Sequence, residues 1–468
     1  MADSPLLRIS TRLDYDTALE RVMGLANFER STQDPEHWSF HLERMGLLME
    51  RLGNPHLAVP AIHVAGTKGK GSTVAMITSA LAAQGYKVGL YTSPHLHRTV
   101  ERIRIGLDPI APGDFAALVE DVWPIVESVG ETGPYGDVTF FEMLTAMAFV
   151  WFERVGADFQ VVEVGLGGRL DATNVVAPEI CAITNISLDH MSTLGTSIAA
   201  IAGEKAGIIK PGVPVVVASQ PAAALEVFRQ VAAEKGAPLT DVPSERSWRM
   251  LESDLSGQSF ELAGPNGKRM LRIPLLGAHQ LDNAATAVTV LETLAESVTP
   301  LSDESIARGL ENVKWPARMH FASRNGRLVV ADGAHNPHSA MRLVEAVRDH
   351  VEFRRVFLVF GALRGHSLAG MLSELKQLAP EVLVVRSRDP RSLASDEVAE
   401  EARRQGLAVI SVTKDVGAAT RSALERAEAD DLIIGTGSLT VAAEVIEEMA
   451  GVDPELYPYL DRQSEKVG

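Results

Sequence analysis

The chain has 468 residues, 46% hydrophobic and 22% charged, a make-up that fits a folded protein and excludes a disordered one. Its length suits two or three domains of ordinary size. Lys and Arg total 44 against 61 Asp and Glu; the net charge of −17 argues against a nucleic-acid-binding protein but leaves room for a local basic pocket.

The opening MADSPLLRISTRLDYD scatters charges among its apolar residues and lacks the apolar block of a secretory leader. Short apolar, β-branched runs then alternate with helical patterns. The expected strands are Ile62–Ala65, Lys87–Tyr91, Gln160–Val164, Cys181–Asn185 and Val213–Ala218. The expected helices between them include Ser72–Gln84, Phe140–Val155 and Ser197–Ile209. This alternation predicts βαβ units and a mainly parallel sheet. The longest apolar stretches, such as Ala146–Phe152, fall far short of the roughly 20 residues of a membrane helix. Cys181 is the single cysteine and cannot form an internal disulfide, which fits a reducing cytoplasm. From 241 to 272, GQSFEL and GPNGKRMLRI read as a β-hairpin elaboration, and helical periodicity returns at His279–Glu296.

The alternation restarts with Leu328–Ala331, Val356–Phe360, Val382–Arg386, Ala408–Ser411 and Leu432–Ile434 as strands. Pro316, within WPARMHF, interrupts the pattern and places a linker near Val313–Phe321. The fold class is therefore α/β in two parts. Residues 1–316 form a P-loop-type ATPase domain with a mainly parallel sheet, and 317–468 a smaller Rossmann-like α/β domain. Ligands of such folds gather at the C-terminal ends of strands and between domains.

The strongest local signal is the run Ile62-His63-Val64-Ala65-Gly66-Thr67-Lys68-Gly69-Lys70-Gly71-Ser72-Thr73. A strand leads into a Gly-rich loop and then a helix. Such a loop turns backbone N–H groups toward an anion, the helix N-terminus adds its dipole, and a lysine meets the outer phosphates. The spacing is a variant of the usual phosphate loop, because Gly71 separates Lys70 from Ser72. Lys70 is the expected phosphate ligand; Lys68 reads equally as a loop lysine in solvent.

GTKGKGS resembles the nucleotide loop of the Mur ligase superfamily. YTSPHLHRTVERIRI is similar to the folate branch of that superfamily, the folylpolyglutamate synthases and dihydrofolate synthases. TFFEMLTAMAF, EVGLGGRLDATN, ITNISLDHMSTLG, IAGEKAGIIKPG, GAHQLDNAATA and DGAHNP follow in the family's order, so the resemblance covers nearly the whole chain. It implies an ATP-dependent ligase that adds L-glutamate to a folate-type carboxylate, dihydropteroate or a reduced folate. A carboxylate is a poor electrophile, so it is first phosphorylated and the acyl phosphate is then attacked by an amine. Both steps gather negative charge that magnesium and cationic groups must meet.

Carried residue by residue, the resemblance places Gly66 to Ser72 on the ATP phosphates, with Asn283 at the base, Arg318 reaching the phosphates from the second domain, and Asp332 at the ribose or phosphates. It implies two magnesium ions, held by Ser93, Glu163 and His190 and by a carbamylated Lys205. Imidazole is an unusual magnesium ligand, and chemistry alone reads His190 as a phosphate contact or a satisfied loop histidine. An apolar setting for Lys205 would favour the neutral amine that carbamylation needs. Lys70, Lys205 and His335 are the expected catalytic residues. Thr139, Phe140, Phe141 and Glu142, with Leu170, Asp171 and Ala172, are matched to the pterin; the two phenylalanines read equally well as helix core. Relatives usually carry glycine where Ala317 stands, and alanine disfavours positive φ there.

Two other readings stand beside this one. A cell-wall Mur ligase usually carries a further domain ahead of the loop, and only about 65 residues precede Gly66 here. A phosphate-loop kinase or switch NTPase would have no use for DGAHNP or a second α/β domain. The resemblance also implies a cytoplasmic monomer without nucleic-acid or membrane partners.

Overall fold

A computed structural model describes residues 13–29 and 40–456. The first 12 residues of the N-terminal stretch read for a leader lie outside it. Two sheets dominate. The first contains β1 (Ala61–Ala65), β2 (Val88–Tyr91), β3 (Ile103–Ile105), β4 (Asp108–Pro109), β5 (Phe159–Glu163), β6 (Pro178–Ile183), β7 (Val215–Val217) and β8 (Leu239–Asp241), in the order β4-β3-β2-β5-β1-β6-β7-β8. β2, β5, β1, β6, β7 and β8 run parallel; β3 and β4 add an antiparallel edge. Helices cover both faces, so β1, β2, β5 and β7 are buried throughout, which explains why most of their residues are apolar.

The segment from 247 to 273 is a three-stranded antiparallel meander, β9 (Ser247–Asp254), β10 (Gly257–Gly264) and β11 (Gly267–Ile273). The helix Ala278–Ser297 follows and packs, with Asp303–Glu311, against the helix Lys70–Gln84 that leaves the Gly-rich loop. Residues 312–319 are neither helix nor strand and carry the chain into the second sheet.

That sheet contains β12 (His320–Arg324), β13 (Arg327–Ala331), β14 (Val356–Phe360), β15 (Glu381–Val384), β16 (Ala408–Val412) and β17 (Leu432–Thr436), in the order β12-β13-β17-β14-β15-β16. Only β12 is antiparallel. Separate apolar clusters fill its two faces, one around Leu358 and Ile434 and one around Val359 and Ile433. The period-2 alternation of side chains divides them.

Several elements had weak sequence signals. The helix Pro112–Thr132 contains Pro124, and β3 and β4 are too short to show a pattern. β12 begins at the end of the segment read as linker. Its register with β13, His320 opposite Ala331 and Arg324 opposite Arg327, is a hairpin contact that periodicity alone does not reveal.

Candidate active site

The loops after β1, β2, β5 and β6 meet at the C-terminal edge of the first sheet. The loops after β13 and β14 face them, and one cavity of about 670 Å³ lies between. In the Gly-rich loop, Gly66 has φ +147° and Gly69 φ +90°. A Cβ on Gly66 would lie 1.8 Å from Thr184 Oγ1, and one on Gly69 2.2 Å from Asn283 Oδ1. Both positions therefore exclude any side chain. The Thr67 and Lys68 N–H groups donate to Asn185 O at 2.9 and 3.2 Å, which anchors the loop to the end of β6. The helix begins at Lys70, and its first N–H groups lack intrahelical partners, as at any helix N-terminus. Thr67, Lys68, Gly69, Lys70, Gly71 and Ser72 all line the cavity.

Lys68 is not a lysine in solvent. Its Nζ donates to Asp189 Oδ2 at 2.7 Å and to His335 Nε2 at 2.8 Å. His335 Nδ1 lies 2.8 Å from Gly333 O, and a carbonyl only accepts, so Nδ1 carries the proton and Nε2 offers its lone pair to Lys68. Burial in the cleft, then the Lys68 charge, lower the His335 pKa to about 4, which agrees with a neutral ring. Burial also lowers Lys68, partly offset by Asp189. Burial alone would raise Asp189, but the Lys68 ammonium at 2.7 Å holds its carboxyl well below the usual range. Asn336 Nδ2 donates to Asp189 Oδ2 at 3.3 Å, and His366 Nδ1 lies 3.8 Å from Oδ1. Asp189 thus joins groups from both sheets.

Glu163 ends β5 with its side chain 6% exposed, and Lys70 Nζ stands 3.9 Å away. The Ser93 N–H donates to Glu163 Oε2 at 3.3 Å. Burial raises the Glu163 pKa and Lys70 opposes the rise. Lys205 is 4% exposed, and its side chain makes no hydrogen bond or ion pair with a described residue. Burial, then repulsion from Lys70, lower its pKa to about 7. His190 sits at φ +48° with its N–H on Asp189 Oδ1, and it lines the cavity with Ser93 and Glu163. Among the described residues no three His, Cys, Asp or Glu side chains group as a metal cluster.

Arg318 enters the cavity from the linker. The expectation that Ala317 would avoid positive φ is overturned: Ala317 has φ +58° and Met319 has φ +46°. Asp332 holds this turn, accepting the Met319 N–H on Oδ2 at 2.8 Å and the Ala334 N–H on Oδ1 at 2.9 Å. Asn283 Nδ2 donates to Gln280 Oε1 at 3.0 Å and faces Gly69.

In the other lobe, Thr139 caps the helix Phe140–Arg154. Its Oγ1 accepts from the Glu142 N–H at 3.3 Å, while its own N–H donates to Glu142 Oε2 at 2.8 Å. Arg44 Nε donates to both Glu142 oxygens at 3.0 and 2.9 Å. This carboxylate is therefore a capping and ion-paired group, and it lines the cavity. Phe140 is corrected: it is 1% exposed, packs in the core under the Arg102 guanidinium, and does not line the cavity. Phe141, one residue on and turned by about 100° on the helix, does line it, beside Tyr91. Leu170, Asp171 and Ala172 line it too, but Asp171 accepts from Leu166 N–H at 2.8 Å, Thr173 N–H at 3.0 Å and Thr173 Oγ1 at 2.5 Å. Its carboxylate shapes the loop.

Comparison with known proteins follows this geometry. Residues 116–291 match the Mur ligase middle domain, and 317–439 the glutamate ligase domain of Mur ligases. A dihydrofolate synthase/folylpolyglutamate synthase of Bacillus subtilis is 40% identical over 359 residues, spanning 76% of this chain and 83% of that one. The chain belongs to the folylpolyglutamate synthase/dihydrofolate synthase family. Among solved family members, Mycobacterium tuberculosis folylpolyglutamate synthase complexed with ADP aligns with a TM-score of 0.84 at 32% identity, covering 94% of this chain and 100% of that chain. Escherichia coli FolC in complex with DHPP and ADP aligns with a TM-score of 0.80 at 30% identity, covering 94% and 98%.

Among the residues of this family member's cavity that escaped the sequence reading are Asp189, His366 and Arg44. Asp189 had a signal, since it sits beside His190 in SLDHM. His366 and Arg44 stand alone among ordinary loop and helix residues, and only the fold brings them in.

Proposed function

We propose that this chain is an ATP-dependent ligase joining L-glutamate to a folate-type carboxylate through an acyl phosphate, with dihydropteroate, a reduced folate or both as acceptor. One observation carries this: the phosphate loop of the first sheet and Arg318 and His335 of the second converge on a single cavity. The family's members are named for these activities. Several of its solved structures hold ADP or AMPPCP.

Lys70 and the loop N–H groups cradle the ATP phosphates. Ser93 and Glu163 offer hard oxygen donors beside them, a set that fits magnesium, with His190 and Lys205 toward a second ion. Bound magnesium neutralises charge on the phosphates. Burial lowers the Lys205 pKa to about 7, so neutral amine is available near neutrality; its nitrogen would bond the carbon of carbon dioxide and release a proton to solvent, leaving an anionic carbamate as oxygen ligand. Arg318 meets the transferring phosphoryl group from the second sheet. Lys68 and His335 border the space where the acyl phosphate meets the glutamate amine. Phe141, Leu170 and Ala172 offer the apolar wall for a flat ring, while Thr139, Glu142 and Asp171 hold that wall in place. We place the division between the two domains at 316/317, so that closing 317–468 onto 1–316 excludes water from the acyl phosphate.

The test is phosphate release from ATP with magnesium and L-glutamate, with dihydropteroate in one reaction and tetrahydrofolate in another. Release with either acceptor supports the ligase, and the pattern assigns its substrates. No release with either, from protein that binds ATP, refutes it.

A further inference from the structure

Arg318 sits on a backbone that resists the conformation it holds. Ala317 and Met319, on either side, both adopt the left-handed region, with φ of +58° and +46°. That region is disfavoured for residues with a Cβ, and such strain persists only where surrounding contacts enforce it. Here the contacts come from Asp332 and Gly333. Asp332 Oδ2 accepts the Met319 N–H at 2.8 Å, and the Gly333 N–H donates to Ala317 O at 3.0 Å. Asp332 itself is fixed: its N–H donates to Gly435 O at 3.0 Å, and its Oδ1 accepts from Ala334 at 2.9 Å. Each oxygen of its carboxylate thus already holds a backbone N–H. A Cβ on Gly333 would lie 3.0 Å from Arg318 Nη1 and 2.9 Å from Leu439 Cδ1, so a side chain there would crowd the guanidinium.

We propose that Asp332 and Gly333 are positioning residues for Arg318: the carboxylate clamps the strained turn, and the glycine leaves room for the guanidinium, so that Arg318 is presented to the nucleotide. This rests on the functional reading above. Burial raises the Asp332 pKa, and the Arg318 charge and the Met319 and Ala334 N–H groups oppose the rise.

The experiment titrates the full chain calorimetrically with AMPPCP and magnesium, so its readout does not depend on the acceptor. D332N keeps the size of the side chain and loses one acceptor. It should weaken binding by about tenfold, the scale of a buried N–H left without its partner. R318A should weaken binding similarly, and D332N with R318A should be no weaker than the worse single variant. A317G, which relieves one strained residue, should recover part of the loss in D332N, a rescue that direct nucleotide contact would not give. G333A, which leaves Asp332 intact, should also weaken binding in the presence of Arg318 and add nothing to R318A. Unchanged binding by D332N, or the same loss with and without R318A, overturns the proposal. If D332N does not fold, G333A with and without R318A decides by the same criterion. A wild-type chain that binds AMPPCP with this coupling but ligates no folate would count against the functional reading alone.

Discussion

Replacing Lys68 with methionine keeps the apolar stem and removes the ammonium that lies 2.7 Å from Asp189 and 2.8 Å from His335. Asp189 is 6% exposed at its side chain and cannot recover the lost partner from bulk water. Breaking a buried ion pair by removing one member costs about 3–5 kcal/mol. Asp189 retains the Asn336 amide at 3.3 Å and the His190 N–H at 3.0 Å, which places the loss toward the lower end, about 3 kcal/mol. His335 loses the donor on Nε2 as well. Because Lys68 belongs to the first sheet and His335 to the second, the loss falls on the contact that holds the two halves around the cavity. If all of it is felt in the working, closed state, about 3 kcal/mol corresponds to roughly a hundredfold in rate. Guanidinium unfolding measures the first quantity, and steady-state phosphate release with L-glutamate and a folate acceptor the second. A variant that loses under about 1 kcal/mol and keeps its rate within about threefold would refute the buried-pair reasoning.

Lys70→Ala is expected to abolish turnover while leaving the circular dichroism spectrum unchanged; near-normal activity would remove Lys70 from the phosphate site. Lys205→Ala should be poorly active and partly restored by formate or acetate, and a fully active variant would make carbamylation irrelevant. Glu444 is raised to about 7, chiefly by burial. Its folded form holds a proton that the unfolded chain releases between about pH 4.5 and 7, so it erodes stability as pH rises through that window. Glu444→Gln should therefore be neutral near pH 4.5 and stabilising above pH 7, by up to about 3 kcal/mol, and equal effects at both pH values in urea unfolding would contradict this. Arg44→Met leaves the Glu142 carboxylate buried without its cation and should cost about 3–5 kcal/mol, measured as a lower denaturation midpoint; an unchanged midpoint would mean that the pair is not structural.

The amino-acid sequence by itself determined most of what is local. Short, largely apolar runs marked β1, β2, β5, β14 and β17, because strands buried on both faces favour apolar residues at most positions. The glycines of GTKGKGS marked the phosphate loop, because only glycine fits where a Cβ would strike Thr184 or Asn283. The motifs also set out the family and its chemistry. Tertiary structure decided everything that depends on two distant segments meeting. It turned Lys68 from an ambiguous loop lysine into the link between Asp189 and His335. It put Phe140 in the core and Phe141 on the cavity, although the sequence offered them side by side. It bound Glu142 to Arg44, brought His366 to Asp189, and forced Ala317 into a conformation that its side chain disfavours. A residue's own propensity is worth about 1 kcal/mol or less, and a buried hydrogen bond or ion pair with a distant partner outweighs it. Such partners are chosen by the packing of the two sheets, and the local pattern around each residue carries no record of them.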